Sequence, residues 1–136
     1  MLHQTHKNEI NIEQNRLGEK DVSSIFFGGG TPSLMPPNLV ESIINSIGKK
    51  WNITNKTEIT VEANPSSVEI NNFKYHAESG VNRLSLGFQS LNDDHLKFLG
   101  RNHKAKDSLK ALEIAKKNFD RVSFDLIYGL PNQTEL

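Results

Sequence analysis

Four places along the sequence could contribute to one ligand site, because each lies at the end of a short apolar stretch typical of a strand. They are the glycine-rich segment 28–31, Glu62, Gln89 and Asp125. Consecutive glycines allow positive φ angles and let a ligand approach backbone N–H and C=O groups closely. In a parallel sheet the ends of successive strands share one edge, where such proteins bind ligands. The pattern predicts a pocket where a glycine-rich backbone, two carboxylates and an amide converge.

Each of these side chains also has a purely structural interpretation. Glu62 could cap the turn that follows it, and Gln89 could hydrogen-bond loop backbone groups. Asp125 lies in an apolar run, where an unpaired carboxylate is costly, so a salt bridge to Arg83 or Arg101 explains it equally well. Arg101 could be a surface residue at a helix end, or it could bind a carboxylate with two parallel hydrogen bonds.

Composition excludes several other kinds of chemistry. The chain has no cysteine, so disulfides, a thiolate nucleophile and a cysteine-ligated metal cluster cannot be built from it alone. His103 has no partner at metal-ligand spacing, and we predict neither a metal site nor a catalytic residue. The net charge of zero gives no reason to expect nucleic acid as a partner.

The length and hydropathy of the chain are typical of one soluble globular domain or part of one. It has 136 residues, of which 35% are hydrophobic and 24% charged. No apolar run approaches the roughly 20 residues that cross a bilayer, so we expect no membrane contact. The first residues contain no apolar signal segment, and we therefore expect a cytoplasmic location.

Strand and helix patterns alternate from residue 22 onward. The predicted strands are 23–28, 58–62, 83–87 and 121–128, and the predicted helices are 38–50, 67–79, a short one from 92 or 93 to about 100, and 105–118. This order predicts an α/β fold with a parallel sheet. We expect the first strand to be buried on both faces, Ser67 and Gly80 to bound the second helix, and Leu109, Leu112, Ile114 and Ala115 to form the apolar face of the last helix.

The domain organisation predicted from these patterns is a polar leader, 1–21, followed by one domain, 22–136. Ile10, Ile12 and Leu17 could line a short helix in the leader, or the leader could be frayed. Four strand–helix units are fewer than the eight of a barrel of about 250 residues. The last strand would also have no covering helix. We therefore expect a barrel domain that is incomplete at both ends.

Five motifs follow one another along the sequence, at residues 26–33, 62–65, 80–90, 99–103 and 125–134. Taken in this order, they resemble one family: the radical S-adenosylmethionine (SAM) enzymes of the oxygen-independent coproporphyrinogen III oxidase type. The resemblance runs from about residue 22 to the end of the chain. Within the family, segments 89–90 and 99–103 look more like the haem-chaperone branch than the true oxidases.

The resemblance implies a fold, a cofactor and a set of site residues. Family members are partial (βα)6 barrels in which a Cys-x-x-x-Cys-x-x-Cys loop holds a [4Fe–4S] cluster that cleaves SAM. The glycines and the threonine would meet the amino and carboxylate end of SAM, and the first carboxylate its ribose or methionine end. The positions that match SAM-contacting residues of the family are Gly29, Gly30, Thr31, Glu62, Gln89, Arg101 and Asp125.

The sequence departs from the family in one decisive respect, since the three-cysteine loop should lie upstream of residue 22 and no cysteine is present. Our first hypothesis is therefore a fragment that keeps half of the SAM site, belongs to a porphyrin- or haem-related protein and is inactive alone. A second is that it complements a separately encoded, cluster-bearing fragment. A third is a non-catalytic module that binds another adenosyl or nucleotide ligand.

Overall fold

The computed structural model describes residues 2–133, which form one parallel sheet with helices on one side. Strands β1 (Ser24–Phe27), β2 (Glu58–Ala63), β3 (Arg83–Gln89) and β4 (Arg121–Leu126) lie in sequence order, each parallel to the next. The helices are α1 (Leu2–Leu17), α2 (Pro37–Gly48), α3 (Ser67–Glu78), α4 (Asp93–Phe98) and α5 (Ala105–Asn118), and a 3-10 turn covers Pro32–Leu34. The predicted α/β class with four parallel strands is confirmed. None of the helices within residues 2–133 is long and apolar enough to cross a membrane.

The core lies between the sheet and helices α2, α3 and α5. Successive residues of a strand point to opposite faces, so one alternate set of each strand faces the helices. The helices contribute buried residues such as Val40, Phe73 and Ala111. The strand residues on this side are fully or almost fully buried, namely Ile59, Val61, Ala63, Leu84, Leu86 and Phe88.

The opposite face of the sheet, here called the inner face, is polar. Glu58 accepts hydrogen bonds from Arg83 and from Arg121, each at 3.0 Å, and Arg83 also donates to Ser123 at 2.8 Å. These groups lie at the amino ends of the strands. Phe26 of β1 lies on the same face. The polar residues of the inner face are Glu58, Thr60, Glu62, Arg83, Ser85, Gln89, Arg121, Ser123 and Asp125.

Two expectations about burial are wrong. Phe26 is 56% exposed, because it lies on the inner side of an edge strand, so β1 is not buried on both faces. Leu109 is 51% exposed, because α5 turns Ser108, Ala111 and Ala115 towards the core instead. The other three residues of the predicted apolar face do pack there, since Leu112 and Ile114 contact the core beside Ala115.

Element boundaries differ from the predicted ones by a few residues. The side chain of Ser66, not Ser67, caps α3 by accepting from the N–H of Glu69, and Asn92 caps α4. Gly80 follows α3 with φ of +98°, as its place after a helix predicts. Strand β3 continues two residues further than expected, to Gln89, and β4 ends two residues earlier, at Leu126.

The polar leader contains a helix. Helix α1 packs against α2, and Trp51 Nε1 donates to the carbonyl of Gly18 at 2.9 Å just beyond the end of α1. Of the two alternatives for this segment, the helix is therefore the correct one. Whether residues 1–21 form a unit separate from the rest stays a prediction.

A buried carboxylate ties together three segments at the carboxyl edge of the sheet. Glu69 is 4% exposed and accepts from the hydroxyl of Ser33, from the N–H of Asn64 at 2.6 Å and from the hydroxyl of Ser66 at 2.9 Å. The hydroxyl of Ser66 in turn accepts from the N–H of Glu69 at 3.3 Å, which caps the first turn of α3. The loop after β1, the loop after β2 and the first turn of α3 therefore behave as one unit.

Ser33 fixes the end of the glycine-rich loop. Its side chain is fully buried, and its carbonyl accepts from Asn72 Nδ2 at 3.2 Å and from His76 Nε2 at 2.9 Å, both on α3. Gly29 and Gly30 have φ of +81° and +63°, in the left-handed region that favours glycine. The loop thus leaves β1 through two glycine-dependent turns and is anchored immediately afterwards.

We predict that Phe73→Ala lowers the free energy of unfolding by about 3–5 kcal/mol, because it removes a large side chain from a packed core. Phe73 is fully buried and contacts the Phe119 ring edge-on, with centroids 6.2 Å apart. Urea denaturation measures the loss. The control is Val68→Ala on the same helix, where the side chain is 61% exposed and we expect a change below about 0.5 kcal/mol. Equal losses would contradict this core.

We predict that Glu69→Gln destabilises the chain more than Ser66→Ala. Glutamine keeps the shape of the Glu69 side chain, but its NH2 group is a donor and would face the donors that Glu69 now accepts from. Each buried donor left without an acceptor costs about 1–3 kcal/mol of stability. Ser66→Ala removes a helix cap, which is worth about 1 kcal/mol. Amide hydrogen exchange separates the two, since only Glu69→Gln should deprotect the N–H of Asn64. Unchanged protection of the Asn64 N–H in both variants would show that Glu69 does not hold the three segments together.

Candidate functional site

A cavity of about 270 Å³ opens on the inner face at the carboxyl edge of the sheet. Gly30, Glu62, Gln89 and Asp125 all line it, and each follows or ends a different strand. The sheet therefore brings together four of the predicted site residues. The complete lining is Gly30, Pro32, Glu62, Ala63, Asn64, Ser85, Leu86, Gly87, Gln89 and Asp125.

Glu62 faces the glycine-rich loop across this cavity. Its Oε2 accepts a long hydrogen bond, 3.4 Å, from the N–H of Gly29. A Cβ placed on Gly28 would lie 3.2 Å from Oε2 of Glu62 and 2.8 Å from Cε1 of Phe26, so glycine is needed there for close approach. Glu62 does not cap the turn after β2, because Glu69 takes the N–H of Asn64. The turn-cap interpretation of Glu62 is therefore wrong.

Gln89 and Asp125 form a pair at the other side of the cavity. Nε2 of Gln89 donates to Oδ2 of Asp125 at 2.8 Å. Arg83 binds Glu58 instead, and the contacts of Arg101 lie elsewhere, so the salt bridge considered for Asp125 is wrong. The carboxylate of Asp125 is therefore held in place by a neutral donor.

Gln89 has two unusual features. Its φ of +60° lies in the left-handed region, which costs a non-glycine residue about 1–3 kcal/mol. Its Oε1 is buried and has no hydrogen-bond partner. A buried acceptor without a donor is destabilising, so this atom is suited to a donor group of a ligand.

Arg101 reaches the same edge from the loop between α4 and α5. Its Nη2 donates to Oδ1 of Asn64 at 2.5 Å and contacts the carbonyl of Gly87 at 3.5 Å, and its Nε is buried without a partner. Gly87 leaves room for this contact, because a Cβ there would lie 3.2 Å from Oδ1 of Asn64. Arg101 is thus not a free surface residue. It lines a second cavity, of about 580 Å³, and meets the first one through Asn64.

Thr31 lies away from the 270 Å³ cavity. With Gly28 and Gly29 it lines a different cavity, of about 530 Å³, between α1 and β1. Gly29 reaches the first cavity through its N–H, which points at Glu62. Gly29, Thr31 and Arg101 therefore surround the site, and Gly30, Glu62, Gln89 and Asp125 form its walls.

His103 supports the wall of the cavity. Burial lowers the pKa of His103 below its ordinary value, so the imidazole is neutral at pH 7 and donates from Nε2 to the carbonyl of Phe88 at 3.3 Å. This bond ties the loop between α4 and α5 to β3. Among the side chains that the structure describes, those of residues 5, 6 and 8–133, no three His, Cys, Asp or Glu are grouped in a way that could hold a metal ion.

Sequence reasoning missed three residues of the site. Asn64 is not among the predicted site residues, although it directly follows β2 and lines the cavity. Ser33 and Glu69, which position the loops, were not singled out. The Ser66-x-x-Glu69 spacing is a capping signal visible in the sequence, but the contacts to Ser33 and Asn64 have no local signature.

Comparisons with known proteins agree on one family. A family model described as the Radical SAM superfamily matches residues 5–135. The heme chaperone HemW of Buchnera aphidicola subsp. Schizaphis graminum is 41% identical over 126 residues, which is 93% of this chain and 34% of that protein. The mitochondrial radical S-adenosyl methionine domain-containing protein 1 of Bos taurus is 44% identical over 117 residues, 85% of this chain and 26% of that protein. The chain spans about a third or less of the length of these relatives.

A solved structure extends the agreement to the fold. Coproporphyrinogen III oxidase (HemN) from Escherichia coli, a radical SAM enzyme, superimposes with a TM-score of 0.82 at 26% identity, covering 96% of this chain and 30% of that one. The predicted incomplete parallel barrel is therefore confirmed. Because the family model covers almost all of the sequence, this chain belongs to the radical SAM superfamily.

Proposed function

We propose that this chain is the SAM-binding part of a haem-related radical SAM protein and that SAM binds in the inner-face cavity. The observation that carries the proposal is the buried, unpaired Oε1 of Gln89 in a cavity walled by the ends of four strands. SAM offers an ammonium group and ribose hydroxyls, which are the donors that such an acceptor lacks.

The other groups of the cavity suit the same ligand. The carboxylates of Glu62 and Asp125 accept from an ammonium or from hydroxyl groups, and Gly30 leaves the backbone open to close approach. Arg101 supports the wall by holding Asn64. Contacts of Gly29 and Thr31 with the amino and carboxylate end of SAM remain part of the proposal, supported by the neighbouring position of the loop.

The cluster of the family does not fit this chain. Radical SAM proteins use SAM together with a [4Fe–4S] cluster, and none of the 136 residues is a cysteine. The histidines and carboxylates whose side chains the structure describes form no metal-binding group either. We therefore propose that the chain alone does not catalyse the radical reaction, and no chemical step is assigned to its residues.

Haem or porphyrin as the ligand of the whole protein is also a proposal. Its support is the description of one relative as a heme chaperone and of another as a coproporphyrinogen III oxidase. A cytoplasmic location belongs to the same proposal and is supported by the lack of a long apolar run in the sequence.

A second candidate is complementation by a separate, cysteine-bearing polypeptide. The specific observation is the edge of β1, which pairs only with β2 among the described residues and so presents open backbone groups to an added strand. A third candidate, a nucleotide-binding module, would use the same cavity without any cluster. It differs from the first in preferring a nucleotide to SAM.

We predict that the chain binds SAM in calorimetry and that Gln89→Leu weakens binding about tenfold or more. Leucine fills a similar space but removes the buried acceptor and the hydrogen bond to Asp125. Gln14→Leu on α1 is the matched control, since its side chain lies outside the cavity and its affinity should be unchanged. Absence of SAM binding by the unmodified chain would overturn the proposal, and tight nucleotide binding instead would favour the third candidate.

We predict that anaerobic iron–sulfur reconstitution of the pure chain gives no stoichiometric cluster absorbance, because the chain has no thiolate ligands. Ultraviolet–visible spectroscopy and iron analysis measure the result, with a full-length relative treated in parallel as the positive control. A stoichiometric cluster on the chain alone would contradict the proposal. Absorbance that develops only when a cysteine-bearing polypeptide is added would favour complementation.

A further inference from the structure

The edge of the sheet formed by β4 is open and mostly exposed. Among the described residues β4 pairs only with β3, and most of its own residues are exposed. Phe124 and Leu126 are about half exposed, although the Phe124 ring stacks on that of Phe88 with centroids 4.7 Å apart. An edge strand offers unpaired N–H and C=O groups to another strand, and β4 contains neither lysine nor proline, which commonly prevent such pairing.

The backbone groups of β4 that point away from the sheet are those of its even-numbered residues. The N–H of Ile127 donates to the carbonyl of Gln89 on β3 at 2.8 Å. The N–H and C=O groups of successive residues point to alternate sides of a strand, so those of Val122, Phe124 and Leu126 point outward. A strand that pairs with this edge must therefore match its own groups to these three residues.

The inner-face side chains of β4 include one positive and one negative charge, four residues apart. Arg121 shares the carboxylate of Glu58 with Arg83, so this group of three carries a net positive charge. Asp125 accepts from the neutral amide of Gln89 and forms no ion pair with a side chain that the structure describes. At about 3.3 Å per residue, Arg121 and Asp125 are separated by roughly 13 Å along the strand and cannot pair within one chain.

A second copy of β4 in antiparallel orientation matches both the backbone groups and the charges of this edge. Outward groups must face outward groups, so even-numbered residues lie opposite even-numbered residues. When Ser123 lies opposite Ser123 of the other copy, Arg121 lies opposite Asp125 twice, and Val122 lies opposite Phe124 twice. A shift of two residues in either direction removes both ion pairs, and a shift of four brings like charges together. Charge therefore selects one register.

We propose that the chain associates with a second copy of itself through β4, antiparallel and in this register, to form a two-fold symmetric dimer. Facing opposite charges stabilise paired strands, and facing like charges destabilise them. The same patch serves both copies, as two-fold symmetry requires. A carboxylate accepts from several donors, so Asp125 pairs with an arginine of the other copy and still faces the cavity. This inference goes beyond the proposed function, because it needs no ligand.

Sedimentation velocity of the 136-residue chain, whose mass is 15.3 kDa, tests the inference. We expect a dimer at micromolar concentrations. Arg121→Asp and Asp125→Arg each place like charges opposite each other, so each should raise the dissociation constant about tenfold or more. An equal mixture of the two variants restores opposite charges at both contacts, so the mixture should form a heterodimer with an affinity close to that of the unmodified chain.

The matched control reverses the charges of an exposed pair with the same sequence spacing on α3. Lys74 and Glu78 lie 3.7 Å apart, far from the β4 edge in the fold. Lys74→Asp and Glu78→Arg should each leave the dissociation constant of the dimer unchanged. Circular dichroism spectra establish that all four variants are folded.

Three results would overturn the inference. The first is an unmodified chain that stays monomeric from micromolar to sub-millimolar concentration. The second is a dimer that neither Arg121→Asp nor Asp125→Arg weakens, which would show that another surface, such as the edge of β1, forms the contact. The third is a mixture of the two variants that dissociates as readily as each variant alone, because the antiparallel register requires the mixture to recover.

Discussion

The buried carboxylate of Glu69 is the interaction on which the geometry of the site depends. A charge in the interior is costly unless donors surround it. Ser33, Asn64 and Ser66 supply those donors from three different segments. Since the carboxylate needs all three, the glycine-rich loop, the end of β2 and the start of α3 are held at one fixed spacing. The walls of the cavity follow from that spacing.

Close approach of backbone to side chain is the second constraint. Gly28 lies against Phe26 and Glu62, and Gly87 lies against Asn64, Gln89 and Arg101, so a Cβ at either position would displace a group of the site. Gln89 is constrained in a different way, because it is not a glycine and yet its φ is positive, at +60°. Strain of this kind persists only where the surroundings fix it, here through the bonds to Asp125 and Ile127.

The sequence predicted most of the fold because local patterns determine it. Helix α5 has the predicted bounds, and the ends of all four strands lie within two residues of the prediction. Convergence of Glu62, Gln89 and Asp125 was also predictable, because parallel strands end at one edge. The bond between Ser33 and Glu69 spans 36 residues, and the bond between Arg101 and Asn64 spans 37. Neither feature has a periodicity or a motif from which it could be predicted.

The two ends of the inner face illustrate how one sheet separates stability from binding. At the amino end, Glu58 and two arginines satisfy one another, so that end contributes order and needs no ligand. At the carboxyl end, neutral donors orient Glu62 and Asp125, and one acceptor of Gln89 stays unpaired. These groups at the carboxyl end add little to the stability of the free chain. The core and the hydrogen bonds of Glu69 hold the strand ends in place instead.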